Sequence, residues 1–350
     1  MSERYVIAID AMGGDRAPNM VIGGLRRVCT EFPNVDFLVF GDESRLTELV
    51  DKHPSLKTRC TVQHAPDAVN NEDKVAYALR NRRQSSMALA INAVKEGEAA
   101  AIVSAGSTGA LMAMAKLAFR TLPGIKRPAI PSVFPTRKQG KTLMLDLGAN
   151  VECDAEDLVQ FAVMGEVYAR QVLGVDKPSI GILNVGSEDM KGHNEVREAA
   201  QILQNSVLPI HFYGFVEGND IANGTVDVVV TDGFTGNIAL KAIEGTANFL
   251  VVSLRRAMTT SLLTKIGALL ARPALKKFWR ELDPRRYNGA MFLGLNGICV
   301  KSHGGTDAVG FANAVRVAMQ LIESGVNERI REDLDRIMVQ RTDPQQTADA

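Results

Sequence analysis

The feature that most restricts how this 350-residue chain can fold is a recurring junction, where a short apolar run stops at glycine beside small polar residues. YVIAI (5–9) leads into Asp10 to Asp15, and AAAIV (99–103) into Ser104 to Gly109. TLML (142–145) leads into Asp146 to Asn150, SIGIL (179–183) into Asn184 to Glu188, and DVVV (227–230) into Thr231 to Asn237. Continuous apolar runs of this length suit strands of a parallel sheet buried on both faces. In such sheets ligands bind in the crevice outside the carboxyl ends of the strands. Five glycine-rich loops at those ends make a polar, close-approach surface suited to an anion.

Helical patterns fill the intervals. They run over 17–30, over 43–52 after the strand DFLVF (36–40), and over 107–119, which is apolar nearly all round. Asp154 is placed as the N-cap of a helix in which Leu158, Phe161, Met164, Tyr168 and Val172 recur every three or four residues. Further helices are predicted over 191–203 and 235–258. Strand, loop and helix alternate, which predicts an α/β fold with a mainly parallel sheet. Residues 1–339 read as a single catalytic unit, in one body or as two lobes around a cleft. The polar tail 340–350 reads as disordered.

Composition removes several classes of function. Forty basic residues balance forty acidic ones, so no nucleic-acid partner is predicted. The amino-terminal residues are charged and lead directly into a strand without a signal-peptide core, which predicts a cytoplasmic protein. The longest uncharged stretch near the middle, 99–115, is interrupted by Gly106, Gly109 and polar residues and does not read as a membrane span. Cys29, Cys60, Cys153 and Cys299 are scattered without metal-ligand spacing, and no metal or other cofactor is expected. Cys153, beside one glycine loop, is the only thiol with a case for reactivity. A phosphate-binding P-loop, a nucleophile elbow, a dinucleotide fingerprint and the His-Glu-x-x-His zinc motif are all missing.

One region departs from the strand–loop–helix rhythm. From Arg255 to Arg280 the chain carries seven basic residues and no acidic one, interleaved with Leu262, Ile266, Leu269, Leu270 and Trp279. The region reads as a basic amphipathic helical hairpin at about 254–284, split by Pro273. It suits an anionic bilayer, with each cation near the surface contributing about 1 kcal/mol. A solvated arm or a dimer contact fits the same pattern.

What remains for chemistry is backbone amides and short polar side chains at helix N-termini, which bind oxyanions through N–H donors and the helix dipole. Gly106, Gly109, Gly148, Gly186, Gly233 and Gly236 allow close approach, and Lys191, read as lying just inside a helix, can reach the same anion.

At these loops the chain resembles a known family. DAMGGDRAP (10–18), SAGSTGALM (104–112), LDLGANV (145–151), LNVGSEDMKG (183–192) and VVVTDGFTGNIALKAIEG (228–245) are similar to blocks of the acyl-carrier-protein-dependent phosphate acyltransferases, the PlsX family of bacterial phospholipid synthesis. The blocks keep their order from about Tyr5 to about Val326. The resemblance implies a dimeric three-layer α/β/α sandwich like that of phosphotransacetylases and isocitrate-dehydrogenase-type enzymes. It implies transfer of a long-chain fatty acyl group from acyl carrier protein to inorganic phosphate, without a cofactor. The acyl phosphate then goes to a membrane glycerol-3-phosphate acyltransferase, so peripheral membrane association is expected.

By the same resemblance Lys191 neutralises phosphate or the oxyanion, and Asn237 donates from its amide. Asp232 orients a catalytic group or caps a helix. Asp10, Gly13, Gly14, Ser104, Gly106, Thr108, Gly109, Asn150, Gly186, Gly233, Gly236 and His303 line the phosphate and substrate site. His303 suits a general acid or a structural role equally. Relatives commonly carry asparagine where this chain has Ser107, so that loop's contribution rests on Thr108 and backbone amides. His193 stands where they often carry asparagine, which speaks against an obligate acid–base role for it. Rival readings are a phosphotransacetylase using acyl-coenzyme A, a non-catalytic metabolite-binding or membrane-recruitment protein, and, most weakly, a metal-dependent dehydrogenase.

Overall fold

The computed structural model describes residues 4–138, 140–206, 210–276 and 288–333. Its strands are β1 (Tyr5–Asp10), β2 (Val35–Gly41), β3 (Cys60–His64), β4 (Ala101–Ser104), β5 (Ser132–Pro135), β6 (Lys141–Leu145), β7 (Ser179–Leu183), β8 (His211–Val216), β9 (Val228–Val230), β10 (Ala290–Met291) and β11 (Ile298–Lys301). The helices are α1 (Asn19–Glu31), α2 (Glu43–Asp51), α3 (Pro54–Lys57), α4 (Val75–Asn81), α5 (Ser86–Lys95), α6 (Thr108–Phe119), α7 (Ala155–Gln171), α8 (Asn194–Gln204), α9 (Gly218–Asn223), α10 (Gly233–Ala257), α11 (Leu262–Leu270) and α12 (Ala308–Ser324).

The strands form two sheets, ordered β10-β11-β4-β1-β2-β3 and β5-β6-β9-β7-β8. Each is parallel apart from one antiparallel edge pair, β10 with β11 and β5 with β6. The apolar runs are buried because both faces of each sheet are covered. Along β1, Ile7 and Ile9 enter one core and Ala8 the other, and along β9, Val228 and Val230 oppose Val229. This is the period-two alternation of a strand with no wet face. Fully burying each of these isoleucines and valines contributes about 1.5–3 kcal/mol.

Both cores run across the two sheets. One holds residues of α1, α7, α8 and α12, and the other residues of α5, α6 and α9, which gives helix, sheet and helix layers. The stretch 121–130 stitches the sheets together. Thr121 bridges Leu295 and Ala129 bridges Leu293, beyond β10, while Ile130 N–H reaches the loop after β6.

The caps follow from the sequence. Asp154 caps α7 in a capping box with Asp157, and Asp232 caps α10 through Thr235 N–H at 2.8 Å. The helix expected over 191–203 instead begins at Asn194, after Gly192 at φ +87° and His193 as N-cap. The hairpin also differs from expectation. Its described part has a break at 258–261, between α10 and α11, in addition to the interruption at Ala271 just before Pro273. Trp279 and the tail 340–350 lie outside the described residues.

Candidate functional site

The first sheet reverses direction at β1, which lies between β2 and β4. Binding crevices open at such switch points, and Asp10 ends β1 there. Its carboxylate is buried. Oδ1 accepts from the Ser86 hydroxyl at 2.6 Å, and Oδ2 from the Ser104 hydroxyl at 2.6 Å. Met12 N–H adds a bond of 3.3 Å to Oδ1. Burial raises this carboxyl above the usual range, and the donors pull it back.

The loops close tightly over that carboxylate. A Cβ on Gly13 would stand 2.5 Å from Asp10 Oδ2 and 2.6 Å from the Gly106 nitrogen, so only glycine fits. Gly106 N–H donates to Ser104 Oγ at 3.1 Å. Beyond Gly14, Asp15 N–H donates to the Gly304 carbonyl at 3.0 Å, tying the loop after β1 to the loop after β11. His303 is exposed; its N–H donates to Asn288 Oδ1, and its Nδ1 accepts from Gly305 N–H at 3.2 Å. The structure therefore brings Asp10, Gly13, Gly14, Ser104, Gly106 and His303 into one cluster. Thr108 and Gly109 start α6 just beyond it, with Thr108 exposed and Gly109 against Val75.

A second cluster crowns the other sheet. Asp146 follows β6 with a fully buried carboxylate. It accepts from four N–H groups: Ile130 N at 2.9 Å, Ala149 N at 3.1 Å, Asn150 N at 2.7 Å and Asn150 Nδ2 at 2.9 Å. Burial again raises the carboxyl, against these donors. Asn150 gives its other amide hydrogen to the Pro128 carbonyl at 2.8 Å and its own carbonyl to Gly233 N–H at 2.7 Å. Its side chain thus builds the loop from within. Gly236, in the first turn of α10, lies so close to the Asp146 carbonyl that a Cβ there would collide with it. That contact seats the helix on the loop and sets the exposed Asn237 beside Gly148.

Lys191 belongs to the neighbouring loop, after β7, and not to a helix. Its ammonium pairs with Glu188 Oε1 at 2.7 Å and lies against the buried Gly186. The hydrogen bond to Glu188, followed by its charge, raises the pKa of this exposed lysine. Asp232 serves as the α10 cap, so the capping role is the one seen, and it fixes the turn that carries Asn237. Cys153 is not an activated thiol, because burial, with the nearby carboxylates Asp146 and Asp157, pushes it up to about 12.

Three contributors were not singled out from the sequence. Asp146 organises the second cluster, and Ser86 is the second hydroxyl on Asp10. The third is Lys301, at the end of β11. Burial lowers its pKa to about 8, although Asp10 and Asp15 favour its charge. A signal existed for Lys301: ICVK (298–301) followed by Ser-His-Gly-Gly repeats the junction of an apolar run with a glycine loop.

On the arm, Leu262, Ile266, Leu269 and Leu270 are all exposed, and among the residues of α10 only Gly233 and Gly236 are buried. At 25 residues α10 is about 37 Å long and beyond its first turns stands largely clear of the other described residues. No described helix is long and apolar enough to cross a membrane.

Chemically, the two clusters offer amide-rich loops held rigid by buried carboxylates, two lysines and an exposed carboxamide. Such a surface binds an anion and stabilises an oxyanion. Comparison with solved structures finds the same fold in a phosphotransacetylase from Streptococcus pyogenes, with TM-score 0.62 and 15% identity over 91% of this chain and 94% of that one. The EutD phosphotransacetylase from Staphylococcus aureus gives 0.58 and 17% over 93% and 94%. The model of the family described as fatty acid synthesis protein matches residues 5–329. The phosphate acyltransferase of Paramagnetospirillum magneticum is 60% identical over 99% of both chains, and that of Rhodospirillum centenum 60% over 96% of this chain and 95% of its own. A third, from Rhodospirillum rubrum, is 56% identical over 97% of both. With such identity along nearly its whole length, the chain belongs to the fatty acid synthesis protein family, as one of its phosphate acyltransferase enzymes.

Proposed function

We propose that the enzyme transfers a long-chain fatty acyl group from acyl carrier protein to inorganic phosphate, giving acyl phosphate for a membrane glycerol-3-phosphate acyltransferase of phospholipid synthesis. One observation carries this reading: rigid amide-rich loops stand beside lysine and asparagine, while the cysteine next to them is too weakly acidic to attack. Phosphate needs no activating triad, because it is already an anionic nucleophile at neutral pH. It needs placement against the thioester carbonyl, and donors for the tetrahedral oxyanion. In this reading Lys191 and Asn237 are the catalytic side chains, Asp232 positions Asn237 through its cap, and Asp10 and Asn150 hold the loops in shape.

The arm formed by α10 and α11 suits a soluble enzyme that works beside a bilayer. Its Phe249, Leu250, Leu262, Ile266, Leu269 and Leu270 and its cations Arg255, Arg256, Lys265, Arg272 and Lys276 are exposed. We assign it to an anionic membrane surface. Replacing Leu269, Leu270 and Trp279 with serine should release the protein from anionic vesicles; retention would defeat the membrane assignment.

The shared fold of the phosphotransacetylases favours one second reading, with acyl-coenzyme A as donor. Comparing palmitoyl-acyl carrier protein with palmitoyl-coenzyme A at equal concentration separates the two. Faster acyl phosphate formation from the carrier-bound donor is expected, and preference for coenzyme A would reverse the assignment.

A further inference from the structure

We propose that Lys301 seats the attacking inorganic phosphate, at the edge of the first sheet where Asp10, Ser104 and Lys301 form one row across β1, β4 and β11. The inference rests on the acyl-transfer reading above and divides its labour. Lys301 would hold the nucleophile, leaving Lys191 and Asn237 to the thioester oxygen.

The row is given by register. Asp10 pairs with Ser104 and Ser104 with Lys301 in consecutive parallel ladders, so the three side chains leave the sheet on the same face. Asp10 does not form a contact ion pair with this lysine, because its oxygens are taken by Ser86, Ser104 and Met12 N–H. The Lys301 ammonium donates to the Ser302 carbonyl, which uses one of its three N–H bonds. Around it lie the loop from Gly13 to Asp15 and the loop from His303 to Gly305, joined by the bond from Asp15 N–H to the Gly304 carbonyl. The result is a partly buried cation among glycine loops at a switch point of the sheet.

A cation withdrawn from water favours an anionic partner. The charged and titratable groups around it are Asp10 on β1, Asp15 on its loop, the Cys299 thiol on β11 itself and His303 next along the chain. Burial leaves the lysine easier to deprotonate than it is in water, with a value of about 8, although both carboxylates oppose that shift. A phosphate dianion would supply the missing charge. Lys191 is the poorer seat, since it is exposed and already paired with Glu188. In the reaction a phosphate oxygen bonds to the carbonyl carbon, the carbon–sulfur bond breaks, and the phosphate proton ends on the departing thiol.

The test is steady-state acyl phosphate formation by wild type, Lys301→Met and Lys301→Arg, with phosphate and palmitoyl-acyl carrier protein varied separately. Lys301→Met should raise the phosphate KM about tenfold or more, as loss of a charge-assisted contact does, with the carrier-protein KM little changed. Lys301→Arg should restore most of the loss. In wild type, kcat/KM for phosphate should fall as pH rises through about 8, where the ammonium loses its proton, and that limb should be missing in Lys301→Arg. An active wild type whose Lys301→Met variant keeps its phosphate KM overturns the assignment. So does a rise confined to the carrier-protein KM, which would put the phosphate of the carrier's prosthetic arm there instead. Wild type that makes no acyl phosphate would refute the acyl-transfer reading itself.

Amine-reactive labelling of the native protein, read by mass spectrometry, needs neither a variant nor turnover. Labelling of Lys301 should have its midpoint near pH 8 and be blocked by phosphate but not by chloride at matched ionic strength. Labelling indifferent to phosphate overturns the proposal.

Discussion

The two strand-end clusters use the same device with different partners. In each, a buried carboxylate at the end of a central parallel strand gathers the donors of a glycine loop. Asp10 is held largely by hydroxyls, whereas Asp146 is held by N–H groups alone. A hydroxyl can turn and accept, but an N–H cannot. The lysines differ too: Lys301 is desolvated beside its carboxylate, and Lys191 is solvated and paired with Glu188. The second cluster is therefore the more rigid, while the first holds the cation more readily altered by a ligand.

The comparison can be broken by substitution. Asp146→Asn should do most damage, because its new NH2 group faces N–H donors. Urea unfolding should show a loss of about 4 kcal/mol. Gly236→Ala should follow at about 3 kcal/mol, since its methyl meets backbone at Asp146 that cannot move aside. Third is pH. The folded-state pKa of Lys301 lies below its unfolded value, so the folded protein binds fewer protons between them. Stability should rise as pH goes from about 8 to 10, by on the order of 2 kcal/mol, and Lys301→Met should abolish that rise. Asp10→Asn should cost only about 1 kcal/mol, because Ser86 and Ser104 can reorient. An equal cost for Asp10→Asn and Asp146→Asn would remove the distinction between the clusters. Lys191→Ala should leave the unfolding midpoint unchanged while lowering kcat.

Much of this was legible in the sequence because apolar runs and glycine loops are local signals. All five quoted runs became strands, and Asp154 and Asp232 became caps. Other features depend on partners far along the chain. Ser86 meets Asp10 across 76 residues, and the division into two sheets is fixed only when β9 inserts between β6 and β7. Lys191 looked helical because its surroundings are polar and periodic, but Gly192 at positive φ delays the helix. The junction at ICVK marks the position of Lys301, but the burial that lowers its pKa has no signature at a single position. The arm was legible as basic and apolar, and its break at 258–261 was not.

In the proposed reaction the loops carry phosphate to the thioester and supply no protein nucleophile of their own. Thiol release from palmitoyl-acyl carrier protein, followed with and without phosphate while acyl phosphate is quantified, tests it most directly. Release is expected only with phosphate present, in equal amount to acyl phosphate. Release at the same rate without phosphate would contradict it.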